Sequence, residues 1–400
     1  MAGINASSGI LTPTAVTREA LRILHQKLNF VGNIVRDYDD SFAKKGAKIG
    51  DTVKVRLPNQ YVVRTGATLS AQNTVESSVA LQISTQKGVD LNFTSAELTL
   101  NLDDFSERIL NPAMSVLAAA IEADALSMAL DVYQAVNNVG SAISLNKVLG
   151  GRKLLQDALA PADNQRTCLL NTQDNVDLID SLKGLFQDSS AITKQYKEGM
   201  MGRTAGFDFY ENTLFGNQQT GTAASATTYT VNGANQVGSG VIVATGATTF
   251  KKGDVVTFAG CNKVHPETKA DQGVLQQFVV TADHAGGAGT LAIAPAIVTS
   301  GAYQNVSASP NNGGAVVKVG GASAIYKPSL VFHKEAFAFV TADLVMPQGV
   351  HFAAREVIDG VSMRIVQQYD IANDRLPCRL DVAYGYATLR AQLAARILSN

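Results

Sequence analysis

The stretch from Asp104 to Asn137 constrains this chain more than any other. Leu110, Met114, Leu117, Ile121, Ala125, Met128 and Val132 recur at steps of three and four residues. At about 100° per residue they fall within roughly 40° of Ile121, which makes one narrow apolar stripe on an α-helix. Asp104 and Glu107 have the spacing of a capping box, and Pro112 implies that the first turns kink or start late. About 33 residues at 1.5 Å each give a helix of roughly 50 Å, far beyond the usual three or four turns. Such a helix is a spine on which other layers can be hung.

Four hundred residues allow two or three domains and an ample core. The formal net charge of −1 supplies no global field for nucleic acid or membrane. The first twenty residues lack the basic start and apolar core of a signal peptide. Glu122, Asp124 and Asp131 interrupt the longest apolar region, so no membrane-crossing helix is expected. Cys168, Cys261 and Cys378 are scattered and odd in number, as buried thiols in a reducing compartment would be.

Residues 1 to about 18 are small and polar and read as an extended or mobile arm. Thr17–Phe30 reads as a short amphipathic helix with Leu21, Ile23, Leu24 and Leu28 inward, and Val31–Phe42 as a connector. Thr52–Leu57, Val79–Ser84 and Val89–Thr94 alternate polar and apolar residues, as half-buried strands do. With the polar tip around Gly66 they form a long hairpin-like loop that buries too little to stand alone. After the spine, Ser144–Leu159 reads as a helix that Gly150 and Gly151 weaken. Arg166–Asn171 reads as a strand and Thr172–Phe186 as a helix capped by Thr172. Ser189–Met201 is polar and potentially helical.

From Phe215 to Ile325 the composition changes abruptly: 17 of the 34 glycines fall here and only nine residues are charged. Short β-type runs at Thr227–Val231, Gly240–Ala244, Asp254–Ala259, Gln276–Thr281, Thr290–Ile293 and Ala315–Val319 alternate with turn clusters. That pattern predicts an inserted small barrel or sandwich. Beyond it, Ser329–His333 reads as a strand, Lys334–Val340 as a short helix, and Val361–Tyr369 and Arg379–Leu389 as strands.

No pattern of site chemistry emerges. Lys153 and Lys252 lack the Walker A context, and Gly286–Gly289 misses the dinucleotide fingerprint and reads as a barrel turn. His25, His265, His284, His333 and His351 show no zinc-ligand spacing. There is neither a G-x-S-x-G elbow nor an HExxH helix. Asp103 and Asp104 sit where a helix is capped; Glu122, Asp124 and Asp131 read as solvated flanks of the spine, or as charges that repel nucleic acid from one face. We therefore name no catalytic, cofactor-binding or metal residues and expect no enzyme. Appendages that cannot bury themselves point to contacts with other copies.

Several stretches, in order, resemble the major capsid (coat) proteins of tailed double-stranded-DNA phages, in the short-tailed branch with an inserted β-barrel. Gly50–Val55 resembles the strand entering the extended loop of that family, and Gln86–Ser95 with Leu98–Leu100 the returning strand. Phe105–Arg108 with Pro112–Met114 resembles the opening of its spine helix. Phe250–Gly260 resembles a strand-turn of its barrel, and Arg379–Arg390 its closing strand. The uncharged Asn232–Gly240 departs from the charged capsomer contacts of the family.

The resemblance implies an α+β fold of the tailed-phage major-capsid type with an inserted β-barrel domain. It places an N-terminal arm and short helix at 1–35 and a peripheral domain with the spine helix at 36–49 and 96–143. The extended loop takes 50–95, the axial α/β domain 144–215 and 324–360, the inserted barrel 216–323, and closing strands shared with the peripheral domain 361–400. It further implies a homo-oligomer of hexamers and pentamers in an icosahedral virion shell, assembled in the host bacterial cytoplasm. The expected partners are scaffolding protein, portal and packaged double-stranded DNA bound without sequence specificity, with no cofactor and no membrane. Two other readings are a cellular or prophage-derived shell enclosing cargo and an adhesive or glycan-binding phage tail protein.

Overall fold

The computed structural model describes residues 13–39, 52–64, 66–69, 71–73, 76–93, 111–182, 202–244, 246–358, 360–372 and 375–399. The chain divides into two compact units, one of residues 1–55, 79–125 and 338–387 and the other of residues 56–78, 126–337 and 388–400. Residues 1–12 of the expected arm, the capping residues Asp104 and Glu107, and the polar segment 189–201 lie outside the described residues.

In the first unit, helix Pro13–Lys27 and the single turn Asn29–Gly32 bury Leu21, Ile23, Leu24 and Leu28, the side that the periodicity selects. The helix begins at Pro13, so the arm is shorter than the expected 18 residues. The expected connector after it holds a strand, Val35–Asp39, parallel to Phe337–Ala342. These two belong to a six-stranded sheet that continues through Leu376–Thr388, Val361–Gln367 and Phe352–Ile358, with Thr85–Phe93 also paired to the long strand Leu376–Thr388. Phe337–Ala342 corrects the helix expected over 334–340: only Lys334–Ala336 forms a 3-10 turn. All six strand residues are buried, and a continuous apolar run with both faces covered carries no period that distinguishes strand from helix.

The spine helix is described from Asn111 to Leu126, with a 3-10 extension Ser127–Asp131. The sixteen described α-helical residues span about 24 Å, and the expected first turns at 104–110 lie outside the described residues. Pro112 falls in the first described turn. Met114, Leu117, Ile121, Ala125, Met128 and Val132 are buried, so the stripe is the core face. The pattern does not show that the chain becomes extended after Val132 and that Ala135–Asn137 adds a parallel edge strand to Ala394–Ser399. By length and composition Asn111–Asp131 is apolar enough to cross a membrane, contrary to expectation, but more than half of it is buried within the protein, as in a core helix.

Its acidic residues also depart from the reading of solvated flanks. Glu122 is buried, and its carboxylate accepts the N–H groups of Phe30 and Val31, the latter at 3.2 Å. It fastens the N-terminal turn to the spine. Asp124 is half-buried, 2.7 Å from Lys87 Nζ and accepting the Tyr384 hydroxyl at 2.6 Å. Asp131 is the most exposed, 3.7 Å from Lys252 Nζ.

The second unit contains a seven-stranded sheet in the order Ala135–Asn137, Ala394–Ser399, Ile325–His333, Arg166–Leu170, Phe207–Glu211 and Arg203–Thr204, with Gln218–Gln219 also paired to Ile325–His333. Helix Leu145–Asp157 packs on it. Gly151 permits that approach, because a Cβ there would lie 2.7 Å from Val331 Cγ2. The glycine read as a weakness is a packing requirement. Helix Thr172–Leu182 is capped one residue earlier than expected, by Asn171, whose Oδ1 accepts the Asp174 N–H at 2.8 Å.

Between Gln219 and Ile325, which pair with each other, the chain forms a closed six-stranded barrel. Its strands are Ala226–Val231, Gly238–Ala244, Gly289–Ile297, Asp271–Val280, Val255–Val264 and Ala315–Lys318 in barrel order. Each contains or overlaps one of the six runs expected from sequence. Tyr229, Phe250, Phe258 and Phe278 with surrounding valines, leucines and isoleucines fill its interior. Tyr229 and Phe250 ring centroids are 5.1 Å apart, those of Phe258 and Phe278 5.5 Å.

Candidate functional site

Among the described residues no three of the His, Cys, Asp and Glu side chains gather as metal ligands would. The three cysteines are buried and free. Burial pushes the Cys261 and Cys378 thiols up to about 12, which leaves no thiolate for nucleophilic chemistry near neutrality. One pairing invisible in the sequence does occur: His333 is buried with Nε2 3.0 Å from Asp163 Oδ1. Its Nδ1 accepts the Glu335 N–H and caps the 3-10 turn, which leaves Nε2–H to donate to Asp163. Both ring nitrogens are thus committed to holding a strand end against the loop before Arg166. The 170-residue separation of His333 and Asp163 is why spacing could not reveal the pair.

The extended loop carries several exposed apolar side chains close together in sequence. Thr52–Arg56 and Ser78–Gln82 form an isolated two-stranded ribbon, and the first strand alternates between exposed and half-buried residues with none fully buried. The tip beyond it is held by polar contacts. Gln72 receives the Val62 N–H at 2.9 Å and donates back to the Val62 carbonyl, as a strand neighbour would. Arg64 donates to the Thr68 carbonyl at 3.0 Å, and Arg56 lies 3.5 Å from Glu76. Val63 and Leu69 are 89% and 82% exposed, and Tyr61 is more than half exposed. A thin ribbon held by side-chain amides and carrying apolar residues at its tip can bind another surface but cannot build a reaction site.

Two open clefts of about 460 and 700 Å³ lie beside this tip within the second unit. Gln60, Tyr303, Pro266 and Leu389 line both, and Lys263 and Lys269 line the smaller. Burial lowers both lysine pKa values, yet neither has an acid and base partner in a catalytic arrangement.

A family profile described as "P22 coat protein - gene protein 5" matches residues 39–396. No curated protein sequence matches the chain. Among solved structures, one of Mycobacterium phage Che8 aligns at 12% identity over 90% of this chain and 88% of that one, with a TM-score of 0.41. The asymmetric unit of the bacteriophage PhiM1 mature capsid aligns at 10% identity over 91% and 85%, with a TM-score of 0.43. A virus-like particle from Pyrococcus furiosus aligns at 7% identity over 95% and 96%, with a TM-score of 0.38.

Proposed function

The chain belongs to the P22 coat protein family, and from that premise we propose that it builds an icosahedral shell around packaged double-stranded DNA. It is a structural major capsid protein of a bacteriophage and a component of the virion. The observation that carries this reading is the extent of the match, residues 39–396, which takes in ribbon, spine helix, barrel and closing strand together. In the proposed role, hexamers and pentamers of the chain assemble in the host bacterial cytoplasm with a scaffolding protein and a portal, without catalytic turnover.

Within that role the extended loop at 50–95 reaches neighbouring copies, since its ribbon buries little and its tip exposes Tyr61, Val63 and Leu69. The inserted domain at 216–323 stabilises the subunit or steers contacts between capsomers. Five lysines against four acids give it a charge of +1, too little for the salt-dependent phosphate binding that many basic side chains confer. The axial parts at 144–215 and 324–360 and the peripheral parts at 36–49 and 96–143 supply the rest of the capsomer.

Limited proteolysis tests the loop assignment. Cleavage at the tip near Leu69 should be fast in free subunits and at least about tenfold slower in assembled particles. Equal rates in both states would remove the loop from the contacts between subunits.

A further inference from the structure

Only two chain segments connect the barrel to the seven-stranded sheet, one on each side of the Gln219–Ile325 pairing. Three further sets of contacts join them inside the second unit. Val255 of the barrel packs with Ala135, Tyr326 and Leu398 of the sheet, flanked by Val139 and Val319. Gln277 of the barrel donates to the Ala135 carbonyl at 2.9 Å and accepts its N–H at 2.8 Å.

The third set is made of buried charged side chains hydrogen-bonded to backbone and amide groups. Arg396, from the strand Ala394–Ser399 beside the edge strand Ala135–Asn137, is completely buried and donates to Gln218 Oε1 at 2.9 Å and to the Gly253 carbonyl at 2.8 Å. Next to Gly253, buried Asp254 accepts the N–H groups of Gly221 and Lys251, each at 3.0 Å. Lys318, the inward-facing last residue of its barrel strand, donates to the carbonyls of Gly221 and Gly321 at 3.0 and 2.9 Å. Gly253 must be glycine: its φ is +93°, and a Cβ would lie 2.6 Å from Gln218 Nε2. Entry segment, exit segment, barrel turn and sheet strand therefore meet around two cations and one carboxylate.

These contacts divide by what they can specify. Apolar burial is non-directional: it holds the barrel down but does not fix its rotation. A guanidinium whose two terminal nitrogens must reach one carbonyl and one amide oxygen at once can do so in a single orientation, and here its buried Nε is left without a partner. Its burial costs free energy that an apolar side chain would not cost, so its gain lies in specificity.

We propose that Arg396 is a positioning residue that locks the barrel in one orientation on the sheet. The barrel's own core does not depend on it, since no Arg396 contact enters the Tyr229–Phe250–Phe258–Phe278 interior. Where the barrel presents its surface to other copies depends on it. That consequence rests on the coat-protein reading; the lock itself does not.

The test uses unassembled full-length subunits and thermolysin, with cut sites read by mass spectrometry. In Arg396→Met, cleavage in 218–225 or 319–325 should speed up by about tenfold or more while a fragment containing the barrel survives intact. Unchanged cleavage of the root would overturn the proposal, and so would digestion through the barrel itself, which would assign Arg396 to barrel stability. If Arg396→Met does not accumulate as folded protein, Gln218→Ala removes one partner of the guanidinium and leaves the charge. It should accelerate root cleavage by at least about threefold, and no acceleration would overturn the lock. Wild-type subunits that never form particles would contradict the coat-protein reading and leave this measurement valid.

Discussion

At the residue scale, neighbouring glycines in helix Leu145–Asp157 should behave in opposite ways. A Cβ on Gly151 meets Val331 Cγ2 at 2.7 Å, whereas the nearest atoms to one on Gly150 are the Val136 methyls at 3.6 Å. Gly151→Ala should therefore cost about 1–3 kcal/mol through overpacking. Gly150→Ala should gain up to about 1 kcal/mol from helix propensity, and urea midpoints measure both. Asp174 offers a second test. One of its oxygens accepts from Asn171 at 2.9 Å, from Ser399 at 2.5 Å and from Ser329, while the other is buried without a partner. Burial, only partly offset by these hydrogen bonds, raises its pKa above 3.8. The folded state then holds the proton more tightly than the unfolded chain, so this group's contribution to stability falls as pH rises from 3.8 through the raised value. Asp174→Asn keeps the accepting oxygen and has no proton to lose. The stability of the variant relative to wild type should rise with pH between about 4 and 7; a constant difference would show that Asp174 does not titrate in that window. Neither feature is legible in the sequence, because each depends on a strand about 150 or more residues away.

At the element scale, the spine is the clearest case of partial legibility. The stripe from Met114 to Val132 selects the buried face correctly, because an amphipathic period survives whatever packs against it. The acidic residues beside it divide, with Asp131 partly solvated and Glu122 buried, because composition cannot tell a solvated carboxylate from one that accepts backbone N–H groups. The six barrel strands were legible because alternation and glycine turns are local, whereas Phe337–Ala342 and Ala394–Ser399 are continuous buried runs without a period. Ile121→Asp places an unpaired charge in the stripe and should cost more than about 3 kcal/mol, a large share of a typical domain's stability. Val116, 67% exposed on the same helix, should accept Asp within about 0.5 kcal/mol. Soluble yield and chemical denaturation of the two variants decide this, and equal damage would mean that the stripe is not the core face.

At the scale of the whole molecule, membership of the coat protein family and a ribbon with an exposed apolar tip agree: the protein works by contact with copies of itself. Shape alone led to that class, and the ordered resemblance of short stretches, each unremarkable singly, led to the family that the profile match over 39–396 establishes. The barrel adds folded mass with a net charge of only +1, and Arg396 fixes how that mass is presented. Cryo-electron microscopy of the full-length protein, alone and co-expressed with the proposed scaffolding protein, tests the central claim most directly. The expected result is closed icosahedral shells built from rings of five and six copies, with the tip of the extended loop, around Tyr61, Val63 and Leu69, lying on a neighbour. A protein that stays monomeric at high concentration, with and without scaffold, would contradict it.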